Sequence, residues 1–73
     1  MGDCERTARV VAQVCGLERP PAGEADLVAD LGCTSFDMMA ICVQLEQEFG
    51  CGIDYARLRD VRTVADLSDV VGA

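Results

Sequence analysis

Seventy-three residues with a net charge of −7, from thirteen acidic groups against six basic ones, leave room for about one core and little else. A chain of this size is not expected to close a catalytic cavity, and its acidic field repels phosphate backbones and anionic membrane surfaces. A partner with a basic docking patch suits it better than nucleic acid or membrane.

Hydrophobic residues make up 51% of the chain, which argues for a folded state, yet Phe36, Phe49 and Tyr55 are the only aromatics. The expected core is therefore aliphatic, with Cys and Met as fillers. Five cysteines, an odd number with no leader-like segment, point away from a secreted disulfide framework and toward a reducing cytoplasm. Without C-x-x-C spacing or any His, no zinc site is expected. No apolar run approaches the length of a membrane span.

In chain order, Asp3 is placed to cap a first helix running to about Cys15. Cys4, Ala8, Val11 and Cys15 share one face, widened by Val10 and Val14. Gly16 supplies a stop and Pro20-Pro21 forbids resumption. Residues 17–34 lack helical periodicity, and Leu27, Val28 and Leu31 are expected to tack this loop onto the core. A second helix is expected from Ser35 to Phe49, ended by Gly50, and a brief third from about Asp54 to Arg59, with Asp54 as cap. The last starts at Thr63, where Thr63-x-x-Asp66 reads as a capping box ahead of Val64, Leu67, Val70 and Val71. The fold class expected is all-α: a bundle of three main helices and one short one, residues 1–73 forming one domain.

The second helix is unusual on a wheel of ~100° per residue. Met38, Ile41, Cys42, Leu45 and Phe49 make one apolar stripe, and Phe36, Met39 and Val43 make another well away from it. Asp37, Gln44 and Glu48 occupy the polar arc, while Glu46 and Gln47 flank the second stripe. Two readings stand: a helix buried on two sides, or a docking strip for partner proteins rimmed by acidic groups.

Thr34-x-x-Asp37 fits a capping box, which leaves Ser35 in the first turn with its hydroxyl free; the alternative is that Ser35 itself caps. The helix N-terminus beside it favours an incoming phosphate. With no His or Lys in the chain, Ser35 lacks the base that a self-sufficient nucleophile needs. Any reaction there has to be driven by another protein, which points to a modification site. Cys33, close to the same helix start, raises the separate possibility of an activated thiol, which the acidic surroundings and missing His oppose; otherwise it is an incidental small residue in the loop.

The run Asp30-Leu31-Gly32-Cys33-Thr34-Ser35-Phe36-Asp37, followed by Leu45-Glu46-Gln47-Glu48-Phe49-Gly50, resembles the acyl carrier proteins. The resemblance continues through Thr63-Val64-Ala65-Asp66-Leu67 and so covers nearly the whole chain. It implies a four-helix bundle that is a carrier and not an enzyme. Ser35 would receive a covalent 4′-phosphopantetheine arm from coenzyme A through a phosphopantetheinyl transferase with Mg²⁺. The arm's thiol would hold acyl groups as thioesters and present them to acyl-loading and acyl-processing enzymes of fatty-acid or polyketide type. It also implies that the second helix is the recognition helix, with Phe36, Asp37, Met39, Val43, Glu46 and Glu48 as docking residues. Two positions depart from the pattern: Thr34 stands where most members have Asp, and Ala40 replaces a common acidic residue.

An aminoacyl or peptidyl carrier of a nonribosomal pathway is the neighbouring reading, although the usual Gly-Gly approach to the serine is replaced by Gly32-Cys33-Thr34. An unmodified carrier-like adaptor is the other. A free-standing cytoplasmic monomer is expected, with no resident metal.

Overall fold

A computed structural model describes residues 3–50 and 52–72. Helix α1 spans Asp3–Cys15, α2 Ser35–Phe49 and α3 Val64–Gly72, with a 3-10 helix at Tyr55–Asp60 between the last two. The architecture is all-α; among the described residues the one β-type pairing is an isolated bridge between Asp26 and Thr63.

Helix α1 lies between the other two, packing against both α3 and α2. Its composition explains why: Thr7, Ala8, Val10, Val11 and Ala12 are all buried, a broader arc than a helix with one partner needs. Gly16, at φ 71°, turns the chain out of α1 while the Leu17 amide donates to the Ala12 carbonyl at 2.9 Å. Cys4, expected on the buried face, is exposed in the first turn of α1, although its sulfur lies near Gly23 of the following loop. The capping role expected of Asp3 falls on a side chain outside those described.

The core joins Val11, Leu27, Ile41, Cys42, Leu45, Val64 and Leu67, each essentially inaccessible. Burying one such aliphatic side chain contributes roughly 1.5–3 kcal/mol. Thr7 and Ser68 are the buried polar side chains among the described residues, and the Thr7 Oγ1 has no hydrogen-bond partner among them.

Helix α2 has the bounds expected from the sequence and closes at Gly50, φ 68°, whose amide donates to the Glu46 carbonyl at 2.8 Å. The brief third helix is of 3-10 type and buries no residue fully, though Leu58 packs on the core edge. Asp54 caps it, accepting from the Ala56 amide at 3.0 Å. Helix α3 opens on the expected box: the Thr63 Oγ1 accepts from the Asp66 amide at 3.1 Å, and the Asp66 carboxylate accepts from the Thr63 amide at 3.2 Å. Asp66 also accepts from the Arg62 amide at 3.1 Å, and these two backbone bonds hold its carboxyl below the ordinary value.

The loop between α1 and α2 is bound to the start of α3. The Leu27 amide donates to Arg62 at 2.8 Å, Val64 to Ala25 at 3.2 Å and Ala65 to Gly23 at 2.9 Å. Leu27 is buried and Leu31 packs partly against the core, but Val28, expected to join them, is 66% exposed. The reason is local: residues 27–31 form a tight turn, so consecutive side chains diverge, and Leu27 and Leu31 face the core while Val28 does not.

Candidate functional site

The backbone that delivers Ser35 to the surface is assembled from side-chain clamps. Asp26 accepts from the Val28 and Ala29 amides at 2.9 and 2.8 Å, and its own amide donates to the Asp30 carboxylate at 2.8 Å. This reciprocal pairing winds residues 27–31 into one compact turn, with the Asp30 and Leu31 amides returning to the Asp26 carbonyl. Gly32 ends the turn at φ 70°, a left-handed conformation that a side chain resists. Its amide donates to Val28 at 3.0 Å and that of Cys33 to Leu27 at 2.9 Å. The Asp-Leu-Gly run thus has a mechanical meaning: a clamp, an apolar anchor and a reversal. The structural roles of Asp26 and Asp30 are absent from the sequence reading. Their signal was an Asp opening a short apolar stretch with a second Asp four residues on.

Cys33 then turns inward, 5% exposed, with its Sγ 3.2 Å from the Sγ of Cys15. It is a packed residue, not an incidental one. Burial foremost, then the contact with Cys15, pushes its thiol up to about 12. A buried thiol raised in this way supplies very little thiolate at neutral pH, which argues against the activated-cysteine reading.

Thr34 is extended, φ −93° and ψ 173°, and caps α2: its Oγ1 accepts from the Asp37 amide at 3.1 Å while the Asp37 carboxylate accepts from the Thr34 amide at 3.0 Å. Ser35, the first residue of the helix, is therefore free of capping duty and exposed. The amides of Ser35 and Phe36 have no hydrogen-bond partner among the described residues. Unpaired amides at the positive end of a helix suit a phosphate group. A phosphate-linked arm on Ser35 Oγ thus fits what surrounds it, with the Asp37 carboxylate already engaged by the backbone.

Along α2 the two apolar stripes part company. Ile41, Cys42 and Leu45 are buried, with Met38 and Phe49 packed at the core edge. Phe36, Met39 and Val43 are 80%, 60% and 45% exposed. The two-sided burial that the wheel allowed does not occur, because α1 and α3 approach the helix from the Ile41 side. The acidic residues near this strip have partners. Glu46 accepts from the Ile53 amide at 2.9 Å and from the Tyr55 hydroxyl at 3.2 Å, which ties the segment after α2 back to the helix. Glu48 pairs with Arg6 of α1 at 3.1 Å, and the same guanidinium lies 4.4 Å from the centre of the Phe49 ring.

The fold and this site together present an exposed serine at the start of α2 on an acidic chain. The comparisons agree. The model for the phosphopantetheine attachment site matches residues 5–71, and the chain belongs to that family. Members carry covalently attached 4′-phosphopantetheine and act as carriers rather than catalysts. The chain is 29% identical to chloroplastic acyl carrier protein 1 of Cuphea lanceolata over 76 residues, covering 93% of this chain and 54% of the relative. It thus spans about half the length of that curated relative. A solved Mycobacterium tuberculosis chain, assigned provisionally as an acyl carrier protein, superposes with a TM-score of 0.88 at 24% identity. The match covers 97% of this chain and 96% of that one, and it establishes the shared fold. This protein is accordingly a carrier of the phosphopantetheine-attachment type, similar to acyl carrier proteins.

Proposed function

We propose that Ser35 is the attachment residue and that the chain carries acyl groups for enzymes of fatty-acid or polyketide type. The observation that carries this reading is the division of labour at the start of α2: Thr34 caps the helix, leaving the Ser35 hydroxyl exposed beside two unpaired amides. The arm, when bound, supplies a terminal thiol that holds the acyl group as a thioester. The chain's own residues position it. The 26–32 turn sets where Ser35 emerges, and the Ser35 and Phe36 amides and the dipole of α2 stabilise a phosphodiester. The proton of the serine leaves to a base that a transferase provides, since this chain has neither His nor Lys.

The exposed strip of Phe36, Met39 and Val43 is the proposed contact with the transferase and with acyl-loading and acyl-processing enzymes, Asp37, Glu46 and Glu48 adding negative charge toward basic patches. One core fed by all three α-helices supports residues 1–73 acting as a single carrier domain, which we place in the cytoplasm as a monomer. Among the described residues no helix is long and apolar enough to cross a membrane.

Intact mass spectrometry after incubation with coenzyme A, Mg²⁺ and a panel of transferases tests the reading. The wild-type chain is expected to gain one arm and Ser35→Ala none. A wild-type chain that stays bare, or an arm found on Ser35→Ala, overturns it. Mass analysis of the thioester in cells then separates acyl from aminoacyl cargo.

A further inference from the structure

Cys15 ends α1 and Cys33 precedes the cap of α2, and the two meet although seventeen residues of loop separate them. Their sulfur atoms are 3.2 Å apart. That is closer than the ~3.5–4.0 Å at which even two carbon atoms sit at their optimum, and it leaves about 1 Å to a disulfide bond. The two thiols are already in contact in the folded chain. Cys33 is held in place by the hydrogen bond that its amide donates to the Leu27 carbonyl, and Cys15 by the last turn of α1 just ahead of the Gly16 reversal. Of the remaining described cysteines, Cys4 is exposed in the first turn of α1 and Cys42 is fully buried in the core.

We propose that Cys15 and Cys33 are an oxidative modification site, closing to an intramolecular disulfide that fastens the segment leading to Ser35 onto α1. The inference rests on this contact alone and stands whether or not Ser35 carries an arm. The oxidant is a low-molecular-weight disulfide. Half-buried Cys15 is the thiol within reach of solvent, so its sulfur attacks first, breaking the S–S bond of the oxidant and releasing one small thiol that takes up the Cys15 proton. The Cys33 sulfur then attacks the Cys15 sulfur of that mixed disulfide and expels the second small thiol, which leaves with the Cys33 proton. The two protein thiols are oxidised by two electrons and the external disulfide is reduced by two. The second step is the slow one, because Cys33 is buried and its thiol is held protonated to about 12. Proximity offsets this, since the attack is intramolecular between atoms already in contact.

The closed loop contains the whole 26–32 clamp, and the bond anchors Cys33 two residues before Ser35. A cross-link across a loop of this length narrows the unfolded ensemble and raises the denaturation midpoint, provided the native geometry accepts it.

The test uses the full chain in a Ser35→Ala background, so that no arm thiol competes, treated with oxidised glutathione and followed by intact mass and peptide mapping. In the expected product the Cys15 and Cys33 peptides are joined, lighter together by two hydrogens and free of glutathione, whatever adduct exposed Cys4 takes up, and the chain unfolds at a higher urea concentration than the reduced chain. It reverts with dithiothreitol. Cys33→Ala is expected to stall as a stable glutathione adduct at Cys15, and Cys15→Ala to give no closure. Circular dichroism on each variant establishes that it is folded. Should Cys33→Ala not fold, persistence of closure in the double variant Cys4→Ala/Cys51→Ala provides the same discrimination. Adducts that never close on the wild-type pair, or a link mapped to Cys4, Cys42 or Cys51, overturn the proposal.

Discussion

At the scale of single residues, the site depends on two that do nothing chemical. Gly32 reverses the chain at φ 70°, and a methyl group there would meet no atom within 4 Å, so any penalty is purely conformational. Gly32→Ala is therefore expected to cost about 1–2 kcal/mol, the penalty of left-handed backbone for a side chain, with Gly32→Asn losing less. Urea denaturation of both variants decides this; an Ala variant as stable as the wild type would show that the turn has another conformation open to it. Thr34 is the second. By taking the cap it frees the serine, and it does so with a hydroxyl where the resemblance leads one to expect a carboxylate. The hydroxyl accepts the Asp37 amide as an aspartate would, so the structural half of that position is intact while its charge is missing.

At the scale of elements, α2 serves two surfaces at once. Ile41 and Leu45 hold it to the bundle, while Phe36 and Met39 stand in solvent. Exposed apolar side chains contribute little to folding, so Phe36→Ser and Met39→Ser are expected to leave stability within ~0.5 kcal/mol. Under the proposed function both weaken docking, read as a lower kcat/KM for arm transfer with wild-type thermal unfolding. Lost stability together with unchanged transfer would assign the strip to the fold instead. Helix α3 has its own signature in pH. The Arg62 and Thr63 amides bond the ionised form of Asp66 and lower its pKa below 3.8. A depressed folded-state value means that the carboxylate stabilises the native chain above the unfolded value near 3.8, and that this share is lost as pH falls through the lower folded value. Asp66→Asn should then be less stable than the wild type at pH 7 and lose less between pH 5 and 3. Parallel stability curves for the two proteins across that range would refute the assignment.

At the scale of the whole molecule, the loop that carries the site is part of the core. Leu27 is 1% exposed and its amide is bonded to Arg62, so one residue joins the 26–32 turn to the interior and to the start of α3. Leu27→Ala is expected to cost about 2–5 kcal/mol and to loosen the approach to Ser35 together with the bundle. Hydrogen exchange at Gly32 and Cys33 should rise in that variant; protection equal to the wild type would separate the loop from the core.

Local signals in the sequence were enough for the three helices, the caps of α2 and α3 and the exposed serine. Thr34/Asp37 and Thr63/Asp66 specify their own ends through bonds spanning three residues, and the apolar spacing of α1 and α2 reports a period that the backbone imposes anywhere. What only the tertiary structure decided involves partners distant along the chain. Which apolar stripe of α2 faces inward depends on where α1 and α3 come to lie. Val28 and Cys4 sit at apolar positions yet remain exposed in the folded chain. Glu46 and Glu48 read as a free acidic rim, but Ile53, Tyr55 and Arg6 claim them in the folded chain. The meeting of Cys15 with Cys33 was equally invisible, since a loop of seventeen residues can close in many ways and the burial of Leu27 selects one.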